Sequence, residues 1–158
     1  MSSLKFMVDN NVGKLAKWLR MLGFDASFFT GLNDTEMVGI ALSEGRILLT
    51  RDTGIMERRT VTSGQLKAIL ITSDRMPQQT QQVITALQLR PDQIHPFTLC
   101  LECNVNLVDR TIEDVRDRVP PYVFATQTQY RECPACRRIY WQGTHWQNMV
   151  KKIRTINE

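Results

Sequence analysis

Two C-x₂-C pairs, CLEC at 100–103 and CPAC at 133–136, are separated by 29 residues. Each tight turn can present two thiolates to one tetrahedral ion, so the spacing predicts a structural Zn²⁺ held by Cys100, Cys103, Cys133 and Cys136. Sulfur in all four positions leaves no opening for a substrate, and the ion would supply much of the stability of so small a module. A redox C-x-x-C is the rival reading, but it would need each pair at a helix start and gives no reason for two pairs. The N-terminal MSSLKFMVDN lacks the charged-then-apolar design of a signal sequence, and no run approaches the roughly 18 apolar residues of a membrane span. The expectation is a cytoplasmic protein with reduced cysteines.

The first half of the chain alternates between strand-like and helical segments. LKFMV (4–8) and FDASFF (24–29) read as strands, and RILLT (46–50) and LKAILI (66–71) as short apolar strands covered on both faces. Between them, 12–22, 34–44 and 53–63 read as helices, and 77–88 follows the last strand as a fourth, after Pro77. On the first helix Val12, Leu15, Leu19 and Leu22 share one face, with Lys14, Lys17 and Arg20 gathered opposite. Gly23 and Gly45 stand where left-handed caps would end the first two helices. Alternating strand and helix predicts an α/β fold with a mostly parallel sheet. From about His95 the character changes, and Pro91 and Pro96 mark a boundary that divides the chain into 1–94 and 95–158.

Each strand is followed by acid: Asp9 after the first, Asp34 and Glu36 after the second, Asp52 after the third, Asp74 after the fourth. In a parallel sheet these positions share the carboxyl edge, where α/β proteins place their ligands. Singly, Asp9 and Asp52 read as helix N-caps, Asn33 to Glu36 as a capping box, and Asp74 as a turn opener. Together they would repel unless a cation sat among them, and hard oxygen ligands suit Mg²⁺ or Mn²⁺. On that reading Asp9→Asn or Asp52→Asn relieves repulsion and is neutral or slightly stabilising without metal. Divalent ions on carboxylates suit phosphodiester hydrolysis, with Lys14, Lys17 and Arg51 placed to meet phosphates; the two lysines read equally well as a solvated face.

The net charge of +4 is compatible with a polyanionic partner. After the second cysteine pair, Tyr140, Trp141 and Trp146 are interspersed with Arg137, Arg138, Lys151, Lys152 and Arg154, a mixture found in single-strand binders. Trp141 reads as ribbon core, Trp146 as either core or contact, and His145 as structural. A nucleotide-binding α/β protein is disfavoured, since VDNNVGK after the first strand is no Gly-rich phosphate loop.

FMVDNNVGKLAKWLRMLGFD, RILLTRD, LCLECN and YWQGTHW, in that order, resemble the PIN-like ribonuclease family named for the C-terminal domain of the exonuclease Mut-seven. The resemblance spans nearly the whole chain. It implies a PIN-like three-layer α/β/α nuclease domain over 1–94, a zinc ribbon domain over 95–158, and metal-dependent cleavage of RNA. By position Asp9 and Asp52 match the family's acids best, with Asp34 or Glu36 supplying the second-strand acid and Asp74 a further candidate. Two departures are Leu99, where the family often has Arg, and the Gln-rich QQTQQV after the fourth strand, where an acid is expected. A non-catalytic RNA- or protein-binding adaptor is the alternative reading.

Overall fold

The structure, a computed structural model, describes residues 4–31 and 33–156. The side chains of His145 and Arg154 lie outside the described residues. Strands β1 (Lys5–Val8), β2 (Asp25–Phe28), β3 (Ile47–Thr50) and β4 (Ala68–Leu70) form a sheet in the order β2-β1-β3-β4, parallel throughout. The central strands β1 and β3 are apolar on both faces because both are covered. Phe6, Val8 and Leu49 point into one cluster, and Met7 and Leu48, one residue out of phase, point into the other.

Helices α1 (Lys14–Met21) and α5 (Gln78–Leu87) cover the first face, and α2 (Asp34–Glu44) and α3 (Thr53–Met56) the second. This is the expected three-layer arrangement. Val12, Leu15, Leu19 and Leu22 are all buried, although Asn10–Val12 form a separate 3₁₀ turn ahead of α1. Gly45 caps α2 in the left-handed region at φ 65°. The helix expected over 53–63 is two short ones, α3 and α4 (Arg59–Thr62), because Arg58 is extended at φ −64°, ψ 144°. Arg20 departs from the expected solvated basic face: it is buried, donating from Nε to Ala26 O at 2.9 Å and from Nη1 to Leu101 O at 2.8 Å. Helical spacing had grouped it with Lys14 and Lys17, but carbonyls of β2 and of the cysteine-bearing segment draw its guanidinium inward.

The C-terminal part holds a second sheet, β5 (Val108–Arg110), β6 (Tyr130–Glu132) and β7 (Ile139–Tyr140), antiparallel in that order. Between β5 and β6 lie α6 (Ile112–Val115) and α7 (Pro121–Thr126); Pro121 opens α7 at its first turn, where a missing N–H costs nothing. Val115, Val119, Val123 and Tyr130 make a small core with Trp141 packed against it. The last helix, α8 (Thr144–Ile156), returns to the first layer. Its Trp146 is buried in the main core, edge-on to Phe97 at 5.8 Å and to Tyr140 at 6.4 Å, and so presents no face for stacking a base. Chain 95 onward also approaches α1 closely at Gly23 (φ 93°), where a Cβ would stand 2.3 Å from His95 O. Among the described residues no helix is long and apolar enough to cross a membrane.

Candidate active site and metal centre

β1 and β3 are neighbours in the sheet, and their ends bring Asp9 and Asp52 together through Thr50, the last residue of β3. Thr50 Oγ1 donates to Asp9 Oδ2 at 2.8 Å and accepts from Asp52 N at 3.0 Å. Asp9 is 5% exposed; its Oδ1 accepts from Asn10 N at 2.8 Å and its Oδ2 also from Asn11 Nδ2 at 3.3 Å. Asn11 Oδ1 in turn accepts from Arg51 N at 3.2 Å, tying the two strand ends a second time. Asp52 is exposed and caps α3, its Oδ1 accepting from Gly54 N at 2.8 Å. Both acids therefore do cap helical turns, yet capping leaves Asp52 Oδ2 without a hydrogen bond among the described residues.

The remaining strand-end acids stand apart from this pair. Asp34 and Glu36 lie in the first turn of α2, which Asn33 caps by accepting from Thr35 N and Glu36 N. Glu36 lines a groove of about 380 Å³ with Ser27, Phe28, Ile40 and Glu44. Two residues apart on a helix point about 200° apart, so at most one of Asp34 and Glu36 faces the pair. Asp74 is exposed in the loop after β4. Among the described residues, no three of these carboxylates come close enough to share one ion.

The cysteines do converge. Their four Sγ atoms all lie within 4.8 Å of one another, and Cys100 and Cys136 are 3.7 Å apart. A tetrahedron with Zn–S bonds of about 2.3 Å has edges of roughly 3.8 Å, so these residues fit zinc and not a disulfide. The two turns match atom for atom. Asn104 N donates to Cys100 O and Arg137 N to Cys133 O; Cys103 N and Cys136 N donate to the first sulfur of their own pair. Asn104 and Arg137, the residues after each pair, both occupy the left-handed region at φ 59° and 69°. Burial opposes ionisation of Cys100, but hydrogen bonds from Tyr140 Oη and the N–H groups of Cys103 and Glu102 bring it down to about 7. Cys103, hydrogen-bonded to Cys136 and crowded by the other thiols, is pushed up to about 12. Four adjacent thiols cannot all ionise without a cation among them.

The basic residues divide. Lys14 and Arg51 are exposed, Arg51 directly before Asp52, whereas Lys17 Nζ is paired with Glu102 Oε1 at 2.8 Å, between the first two cysteines. Arg138, Lys151 and Lys152 are exposed. Arg137 Nε lies 2.7 Å from Glu132 Oε2, and Arg118 and Arg110 reach Oε1 of the same fully buried carboxylate at 2.8 and 3.1 Å. Hydrogen bonds from Arg118 hold Glu132 below the usual carboxylate range, against burial. Sequence reasoning missed Thr50, Asn11 and Glu132. Thr50 and Asn11 each lie two residues from an acid, and nothing in a single sequence marks such a residue as a bridge.

No curated protein and no solved structure matches the chain. A family model described as the Mut7-C RNAse domain matches residues 4–153. With nearly the whole length matched, the chain belongs to the Mut7-C RNAse domain family, a ribonuclease-type family acting on RNA.

Proposed function

We propose that the protein is a Mg²⁺- or Mn²⁺-dependent ribonuclease whose reaction centre is the Asp9–Thr50–Asp52 bridge. The observation that carries this reading is two acids at the carboxyl ends of adjacent strands, tied by one hydroxyl that donates to the Asp9 carboxylate and accepts from the backbone N–H of Asp52. Mg²⁺ is commonly held by one or two carboxylates, with waters and substrate phosphate filling the rest, so the pair suffices as a donor set. When bound, the ion supplies a lowered water pKa and offsets charge on the phosphate and leaving oxygen. Thr50 and Asn11 fix the orientation of Asp9, and Asp52 Oδ2 keeps an open lone pair. Asp34 and Glu36 sit in the first turn of α2 and Asp74 in the loop after β4; with no three carboxylates close enough to share one ion among the described residues, the reading rests on Asp9 and Asp52. Lys14 and Arg51 would meet phosphates beside the pair, and Lys17 is committed to Glu102.

Residues 95–158 act in this reading as a zinc ribbon docked on the 1–94 nuclease unit, with Arg137, Arg138, Lys151 and Lys152 as the basic surface that anchors RNA. Four unpaired thiols suit a reducing compartment such as the cytoplasm. The dispersed strand-end acids favour a second reading, an RNA-binding adaptor without catalysis. Incubating the purified protein with mixed RNAs, with and without Mn²⁺, separates the two. Mn²⁺-dependent cleavage, absent in Asp52→Asn, is expected; RNA binding with no cleavage under any divalent ion would leave the adaptor.

A further inference from the structure

QQTQQV, the Gln-rich departure on α5, has a structural division of labour. Gln82 Oε1 accepts from Thr72 N at 2.9 Å and Ser73 N at 3.1 Å, and Gln79 Nε2 donates to Ser73 O at 2.9 Å. These two glutamines fix the loop after β4. The side chains of the other two, Gln78 and Gln81, make no hydrogen bond among the described residues. Both line a groove of about 500 Å³ between α5 and β4, floored by Ile69, Leu70 and Ala86. No charged side chain lines it, in a chain with 20 Lys and Arg and 16 Asp and Glu.

The strand that floors the groove, β4, lies beside β3, the strand that ends in Thr50. Leu70 of its floor is the register partner of Thr50, and Ile71 N donates to Thr50 O at 2.7 Å. Adjacent strands are about 4.8 Å apart, so the backbone of the groove floor lies one strand from that of Thr50.

We propose that this groove is a nucleobase subsite, occupied by a base of the RNA whose backbone crosses the Asp9–Asp52 pair; the proposal rests on the ribonuclease reading above. A phosphate would call for lysine or arginine, and none lines the groove. A base is uncharged, has an apolar face for Ile69, Leu70 and Ala86, and carries donors and acceptors on its edge. A carboxamide answers with both a donor and an acceptor, as Gln78 and Gln81 can. Specific recognition of RNA proceeds in this way, on splayed bases rather than on the backbone. Because the flanking Gln79 and Gln82 lock the loop, the groove is formed before RNA arrives.

The test is equilibrium binding of fluorescein-labelled hexaribonucleotides in Ca²⁺, comparing base-bearing hexamers with an abasic one. The full-length protein should hold its best base-bearing hexamer about tenfold more tightly than the abasic hexamer. Gln81→Leu, which removes the amide, and Ala86→Trp, which fills the groove from an exposed position, should each bring that ratio near one. Abasic affinity, set by phosphate contacts elsewhere, should not move. A parent protein that does not favour bases, or two variants that keep the parent ratio, overturns the subsite. Asp9→Asn, measured alongside, should keep the ratio and lose Mn²⁺-dependent cleavage, so retained cleavage there counts against the catalytic reading alone.

Discussion

Asn104, the residue just after the first cysteine pair, reaches across to β2: its Nδ2 donates to Asp25 Oδ1 at 2.6 Å while its Oδ1 accepts from Ala26 N at 3.0 Å. One side chain thus ties the cysteine turn to the edge of the parallel sheet. Its left-handed backbone separates two effects of substitution. Asn104→Gly keeps the backbone at ease and loses the two hydrogen bonds, one of which serves a buried N–H, at a cost of about 1–3 kcal/mol. Asn104→Ala loses the same bonds and adds roughly 1 kcal/mol of left-handed strain. Thermal melts should therefore rank parent above Gly above Ala, with steps of about 2–4 °C per kcal/mol at this chain length.

Asp25 and Glu132 should make the fold acid-sensitive. Burial opposes the charge of Asp25, but hydrogen bonds from Arg46 and Asn104 leave it below its ordinary value; Glu132 is held low by Arg118 and Arg110 against its burial. A carboxylate whose folded pKa is depressed contributes stability above its unfolded pKa, and that contribution is lost as pH falls through the folded value. Melting temperature should hold from pH 7 to about 5 and fall below about 4. Glu132→Gln should lower the folding stability at pH 7 by about 2–3 kcal/mol, less than for a fully buried pair because its arginines are partly in water, and flatten the acid limb of the melting-temperature curve. Acid also strips zinc, so the comparison of variant with parent across pH is the measurement that counts.

Elemental analysis should find about one zinc per chain. Cys133→Ser should lose it, and the damage should spread beyond the ribbon. Trp146 and Phe97 belong to the same core as Phe6 and Leu19, and Arg20 is spent on Leu101 O. Limited proteolysis of the variant should cut within 1–94 as well as after it; a resistant 1–94 fragment would mean that the two parts fold separately.

Asp9→Asn and Asp52→Asn should both abolish Mn²⁺-dependent RNA cleavage but differ in stability. Asp52 is exposed and Asn caps as well as Asp, so its melting temperature should be unchanged. Asp9 accepts from three donors while nearly buried, and a carboxamide sets N–H against at least one of them, costing about 1–2 kcal/mol. Relief of repulsion, the expectation from sequence, is the smaller effect there. Thr50→Val should weaken Mn²⁺ affinity about 10–100-fold, as loss of a ligand-orienting hydroxyl does. Cleavage at the parent rate in both Asp variants would place the chemistry elsewhere.

Changing Arg137, Arg138, Lys151 and Lys152 to Ala should flatten the salt dependence of RNA binding by about 0.7 per lost phosphate contact. Arg138→Ala alone should reduce the slope at unchanged melting temperature, whereas Arg137→Ala should also lower stability, since its guanidinium meets buried Glu132. An unchanged slope in the quadruple variant would make the ribbon a structural or protein-docking element.

Local pattern carried much of the architecture. Short apolar runs and helical apolar stripes located the strands of the parallel sheet and the helices between them, because each apolar surface must find a core. Two C-x₂-C turns determined a four-sulfur site, since each turn holds its pair whatever the rest of the chain does. Asp9 and Asp52 were legible for the same reason: a strand end in a parallel sheet has a known edge. What the sequence could not determine is what meets across that edge. Whether Asp9 and Asp52 share Thr50, whether Arg20 faces solvent or Leu101, and whether Trp146 stacks on RNA or fills the core all depend on contacts between distant residues. Only the tertiary structure decided those, because a side chain's partner is set by the strand order and by how the ribbon docks, and neither is written in the spacing of any one segment.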